Sequence, residues 1–307
     1  KLFADDTTLY HDSEDIDKLI NEFTTKVKPL FAWCASNRID INWSKSYCMF
    51  VTNRRIKLPG SVVLNDNSIQ VVETFKLLGV TLDNKLNFRT HCANVCRTIN
   101  SKLFTIKGLF YLCTSVKVQF FKSFIMPYFD YCSSLYIYFN QESLKLLVNK
   151  FYFCIYKLFG SNFTEFSSLG DINEYLGKRF NLSSFQARIY SRFALFTFKA
   201  IHIEKFPSEI KENITNNFIT NSLINIAPPD DIRTLRNNKD VCTTVIETKL
   251  TYDYFTNLLI DSIGVSNFGS SFSSFKKFLN LNVISLIENT KFCKFNVAHK
   301  HFNWTKI

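Results

Sequence analysis

From Arg89 onward the apolar residues recur at intervals of three and four, the spacing that lines one face of an α-helix. Cys92, Val95, Cys96, Ile99, Leu103, Ile106 and Phe110 form one such stripe; Leu144, Leu147, Val148, Phe151, Ile155 and Leu158 form another. Phe185, Ile189, Phe193, Phe196, Ala200 and Ile203 form a third. Strand side chains repeat every second residue, so a sheet does not fit these stretches. The spacing predicts helices over Arg89–Phe110, Val116–Met126 and Gln141–Phe159, the last closed by Gly160 as its C-cap. Leu250–Ile263 and Phe272–Ile287 carry the same periodicity, and the Asn-rich stretch between Pro207 and Pro228-Pro229 reads as loop.

Ahead of Arg89 the pattern is mixed. Asp12 to Cys34 predicts a helix with Ile16, Leu19, Ile20, Phe23, Val27, Leu30, Phe31 and Cys34 on its apolar face. Asp12, Glu14 and Asp15 fall in its expected first turn, and Pro29 is expected to kink it. Ile39–Trp43 alternates as a half-buried strand should, and Tyr47–Val51 reads as extended. Val62–Leu64 and Ile69–Val72 flank Asn65-Asp66-Asn67-Ser68, a hairpin turn. The expected fold is therefore an α+β N-terminal part with β-hairpins, followed by a mainly α-helical remainder.

The first ten residues, Lys1-Leu2-Phe3-Ala4-Asp5-Asp6-Thr7-Thr8-Leu9-Tyr10, read as a hairpin with Asp5-Asp6 at its tip. Two adjacent carboxylates without a basic neighbour repel one another, and a divalent cation removes that cost. Mg²⁺ takes hard oxygen ligands, commonly one or two carboxylates together with substrate phosphates. Taken alone, such a pair is usually a solvated turn.

The surrounding text adds to this. Phe3-Ala4-Asp5-Asp6 resembles the [FY]-x-D-D signature of reverse transcriptases, in the A-D-D form of non-LTR (LINE-type) retrotransposons. Trp33 to Ser46 resembles the W-x-x-x-N-x-L-x-[LI]-N-x-x-K-[TS] block that follows, with Lys45 as its lysine. Phe75 to Asp83 resembles Y-L-G-[VI]-x-[LI]-D, and Phe124 to Cys132 resembles L-I-x-P-x-x-x-Y-[CG]. A looser match links Tyr254–Ile263 and Ser273–Leu279 to the C-terminal extension of those elements.

The resemblance implies an RNA-directed DNA polymerase fragment: the end of the palm at 1–88, a helical thumb at 89–160 and a mostly helical C-terminal extension at 161–307. It implies two Mg²⁺ ions, with Asp5 the stronger shared ligand and Asp6 the weaker, and transfer of a nucleotide to a primer 3′-hydroxyl. Lys45 would lie beside the nucleotide triphosphate and could protonate the departing pyrophosphate; a solvated loop lysine is an equal reading. Leu78, Gly79 and Val80 would form the primer grip. Arg89, Arg97, Lys107, Lys150 and Lys157 would contact nucleic-acid phosphates, although any one of them could equally be a solvated surface residue. The implied partners are template RNA, a DNA primer at the target site and deoxynucleotides. A further catalytic aspartate and the fingers are expected upstream of Lys1, so the chain is expected not to polymerise alone.

Composition fits a polyanionic partner: 37 Lys and Arg against 26 Asp and Glu leave a net charge of +11. With 46% hydrophobic residues and 33 Phe, the chain is not a disordered polymer. No apolar run approaches the ~18 residues of a membrane span. The nine cysteines are odd in number and lack a C-x-x-C pair, as expected of a reducing compartment. The resemblance places the protein in the cell, in a cytoplasmic ribonucleoprotein and the nucleus. Cys92 and Cys96 fall on the apolar stripe, and Cys293, His299 and His301 lack metal-site spacing, so no zinc is expected. Two other readings fit the same residues: a non-catalytic, basic nucleic-acid-binding relic of a retrotransposon, and a helical scaffold whose charge only solvates it.

Overall fold

The computed structural model describes residues 2–52, 54–105, 111–139, 141–161, 163, 166, 168–208, 210–212, 214 and 256–289. Lys107, the stretch around Pro228-Pro229, Tyr254 and the Cys293/His299/His301 group lie outside the described residues.

The N-terminal part holds strands β1 (Leu2–Phe3) and β2 (Asp6–Thr7), helix α1 (Ile16–Ser36), and strands β3 (Tyr47–Cys48), β4 (Ser61–Leu64) and β5 (Asn67–Val71). Strands β3 to β5 form a mixed sheet in the order β3–β5–β4, with β3 parallel and β4 antiparallel to the central strand. Val27 of α1 shares a small core with Phe50, Val62, Leu64 and Ile69, and Phe31 meets Trp43 edge-on at 5.4 Å. The β4–β5 turn closes on Asn65 and Asp66, with φ of 50° and 61°, as a hairpin matched to strand twist requires. These residue types tolerate that conformation best after glycine.

Two local expectations fail here. Helix α1 begins at Ile16: the Asp15 side chain accepts the Lys18 N–H at 2.9 Å as N-cap, which leaves Asp12 and Glu14 ahead of the helix. Ile39–Trp43 is not a strand. Alternation needs a neighbouring strand to become a ladder, and instead Asn42 accepts the Lys45 N–H and the Ser44 hydroxyl, winding Trp43–Lys45 into a 3₁₀ turn.

Strands β6 (Thr74–Leu77) and β7 (Val80–Asp83) form a separate antiparallel hairpin leading into the helices. These are α2 (Arg89–Thr105), α3 (Thr114–Phe120), α4 (Met126–Asp130), α5 (Gln141–Phe159), α6 (Leu169–Phe180), α7 (Phe185–His202), α8 (Val265–Phe268) and α9 (Phe272–Asn289). Residues 256–263 are helical as well. The fold is thus α+β at its N-terminal end and helical thereafter. Between α3 and α4 the chain makes a π-helical turn, Phe121–Ile125, in which the Met126 N–H reaches back to the Phe121 carbonyl. Pro127 follows, whose ring would collide with a carbonyl four residues earlier in a regular helix; the wider turn relieves that collision. Gly160, at φ 70°, closes α5 as expected.

The large core is one continuous cluster running from Val80 to Ile287. Its centre is aromatic: Phe185 lies 5.9 Å from Phe129, 5.6 Å from Phe151 and 6.2 Å from Tyr136, centroid to centroid. Edge-to-face and offset arrangements of this kind add to the gain from burial alone. No helix among the described residues is long and apolar enough to cross a membrane.

Candidate functional site

The N-terminal hairpin pairs Leu2 with Thr7 and Phe3 with Asp6, so its two-residue loop is Ala4-Asp5, one position earlier than the spacing predicts. Asp5 therefore sits in the turn and Asp6 on the first residue of β2. Ala4 supplies the positive φ, 51°, that the tight loop needs. A residue with a Cβ pays about 1 kcal/mol for that conformation. Both aspartates are exposed, and no described basic residue pairs with either. His11, just beyond the hairpin, contacts Glu22 of α1 at 2.9 Å. Lys45 ends the 3₁₀ turn with its side chain exposed.

The β6–β7 hairpin turns on Leu78 and Gly79, at φ 46° and 86°. Leu77 pairs with Val80 directly behind them. Tyr131, just past α4, covers this turn: its hydroxyl donates to the Leu78 carbonyl, and its ring lies against Gly79. A Cβ at position 79 would meet the Tyr131 Cε1 at 3.2 Å, so both φ and space require glycine there. Cys132 follows at φ 50°, a left-handed conformation that glycine would adopt without strain. The tyrosine's role is invisible in the sequence because its partner lies 53 residues upstream.

Behind the turn the hairpin is fixed to α2. The buried Asp83 carboxylate accepts the backbone N–H of Lys85 at 3.1 Å, of Asn87 at 3.1 Å and of Phe88 at 2.7 Å, shaping the loop that starts α2. His91 is buried and its Nδ1 accepts the Thr81 N–H at 3.3 Å, so the proton of the neutral ring sits on Nε2. Burial lowers its pKa. Cys92 is buried beneath this junction, its thiol pushed up by the same cause, while Cys96 contacts the Leu146 carbonyl at 3.8 Å.

The basic residues divide. Arg89 is exposed and 3.7 Å from the equally exposed Glu142; Arg97 is exposed and donates to Asn94 at 2.9 Å. Lys157 is exposed beside the rings of Phe153 and Tyr156. Lys150 differs. It is 8% exposed, donates to Asn100 of α2 at 3.0 Å and stands 4.4 Å from the Phe153 ring centre. Lys157 lies beside the same Phe153 ring but is exposed, so the contact with α2 encloses the first lysine and not the second. Arg188 and Arg192 of α7 are also engaged: Arg188 Nε donates to Asp130 at 2.6 Å, and Arg192 lies 3.5 Å from the same carboxylate.

No family model matches the chain, and no solved structure matches it. Part of it is similar to the RNA-directed DNA polymerase from mobile element jockey of Drosophila melanogaster, at 28% identity over 138 residues. That alignment covers 44% of this chain and 15% of the relative, so the chain spans a small part of that protein's length. The similarity supports a reverse-transcriptase-like relationship for the matched part.

Proposed function

We propose that the chain is the C-terminal part of an RNA-directed DNA polymerase of a non-LTR retrotransposon. The observation that carries this reading is the similarity to the jockey polymerase, 28% over 138 residues. Its proposed partners are template RNA, a DNA primer at the target site and deoxynucleotides, met in a cytoplasmic ribonucleoprotein and the nucleus. Residues 1–88 would be the end of the palm, 89–160 the thumb and 161–307 the C-terminal extension.

Asp5 and Asp6 fit a divalent-cation role in chemical type: neighbouring, exposed carboxylates with no described basic partner are the hard donors Mg²⁺ takes. When bound there, Mg²⁺ would neutralise charge developing on the transferring phosphate and its leaving oxygen. Lys45 is the proposed proton donor to pyrophosphate as the primer 3′-oxygen bonds to the α-phosphorus. Leu78, Gly79 and Val80 are the proposed grip on the primer end, with Arg89, Arg97 and Lys157 meeting phosphates. A further aspartate from an upstream strand would complete the ligand set, and the 307-residue chain would not polymerise unaided.

Primer extension on an RNA template, with an upstream reverse-transcriptase segment fused to Lys1, tests this. Extension should appear and be abolished by Asp5→Asn and by Asp6→Asn. Extension that survives both substitutions overturns the metal assignment. Salt-dependent nucleic-acid binding without extension in the fused protein would favour the non-catalytic relic.

A further inference from the structure

The turn Leu78-Gly79 belongs to a short two-stranded ribbon, and an isolated ribbon of this kind is marginally stable in water. Its base is fixed by Asp83 and His91, but its tip projects, and Leu78 is 42% exposed. One described side chain holds that tip by both a hydrogen bond and a ring contact, namely Tyr131. Tyr131 is itself 51% exposed, so the contact lies at the surface. A hydrogen bond there adds little to global stability. What it does fix is where the tip points.

Tyr131 is in turn well anchored. Its N–H donates to the Pro127 carbonyl at 2.9 Å, and the preceding Asp130 is held by Arg188 and Arg192. A chain of polar contacts therefore runs from α7 through Asp130 and Tyr131 to the hairpin tip. We infer that Tyr131 is a positioning residue that latches the Leu78-Gly79 tip to the helical layer and so sets the grip on the primer end. The latch itself stands on the geometry; its consequence for the primer rests on the proposed function.

Two measurements separate these. The first is hydrogen exchange of the full chain, following amides 74–83. Tyr131→Phe removes only the hydroxyl, worth roughly 1 kcal/mol, so exchange there should rise about fivefold while α5 is unchanged. Tyr131→Ala also removes the ring and should raise it further. Unchanged exchange in both variants overturns the latch. The second is steady-state extension by the fused polymerase. The phenylalanine variant should raise KM for template–primer about fivefold, with kcat within about twofold and KM for the nucleotide unchanged. A raised exchange rate with an unaltered template–primer KM overturns the primer role. If the unsubstituted fusion binds no template–primer, the proposed function fails and the primer role with it, while the exchange data still decide the latch.

Discussion

Asp83 makes three hydrogen bonds to backbone N–H groups in a loop that has no strand or helix to satisfy them. Asp83→Ala would leave those donors orphaned, the Phe88 N–H in a buried setting, and should cost about 3 kcal/mol by urea denaturation. Asp83→Asn keeps one acceptor and should cost about half as much. At Cys132 the sign of a substitution depends on backbone: at φ 50°, Cys132→Gly should stay within about 1 kcal/mol of the parent. Cys132→Val should cost about 2 kcal/mol, since a β-branched side chain resists that conformation. His91 supplies a pH dependence. Its folded pKa is lowered, so its contribution is fully present above the ordinary histidine value of about 6.5 and is lost as pH falls below it. Protonation would also set Nδ1–H against the Thr81 N–H. The melting temperature of the parent should fall more steeply between pH 7 and 5 than that of His91→Gln. In the sequence, Asp83 was readable only as the last letter of a family block and His91 only as a neighbour of Cys92. Each acts through backbone groups, which leave no trace in residue type.

Helices were the most legible parts because their partners supply only an apolar surface. The described part of the α2 stripe and the whole α5 stripe face the core, as do Phe185, Ile189 and Phe193 of α7, whereas Ile203, just past α7, is exposed; Gly160 closes α5 where the pattern predicts. Strand reading was less secure: Ile39–Trp43 has the alternation and lacks the neighbour. Lys150 fails for a related reason. A helical wheel does not show which turn of a face a neighbouring helix covers, and here α2 reaches Lys150 through Asn100 while Lys157, on the same Phe153 ring, stays exposed. The Lys150 ammonium has an amide and a ring for company and no carboxylate among the described residues. Lys150→Met should therefore leave stability unchanged or raise it and, on the proposed function, should leave the affinity for an RNA–DNA hybrid untouched. Lys157→Gln removes an exposed cation; filter binding over a salt series should show weaker binding and a slope shallower by roughly one ion. Equal losses from the two substitutions would mean that Lys150 reaches the nucleic acid.

Across the whole molecule, the expected thumb ends at Gly160, yet the packing runs on past it. Helices on both sides of that residue contribute to the same cluster, and the ring of Phe185 closes over Phe129, Tyr136 and Phe151. Asp130 is likewise neutralised by arginines 58 and more positions downstream, a pairing that no local pattern encodes. Stability in a core of this kind is cooperative: removing one layer exposes the apolar face beneath it, at about 25 cal/mol for each Å² uncovered. A chain ending at Gly160 would therefore bare Phe129, Tyr136 and Phe151 and leave Asp130 without its guanidinium partners. It should lose cooperative thermal unfolding, bind a hydrophobic dye and self-associate, while far-UV circular dichroism still reports helix. The milder form of the same test is Phe185→Ala in the full chain, which should cost about 4 kcal/mol through the cavity left among three rings. If the shortened chain instead unfolds as a monomer with a sharp transition, the helices before Gly160 carry their own core and α7 is an accessory layer.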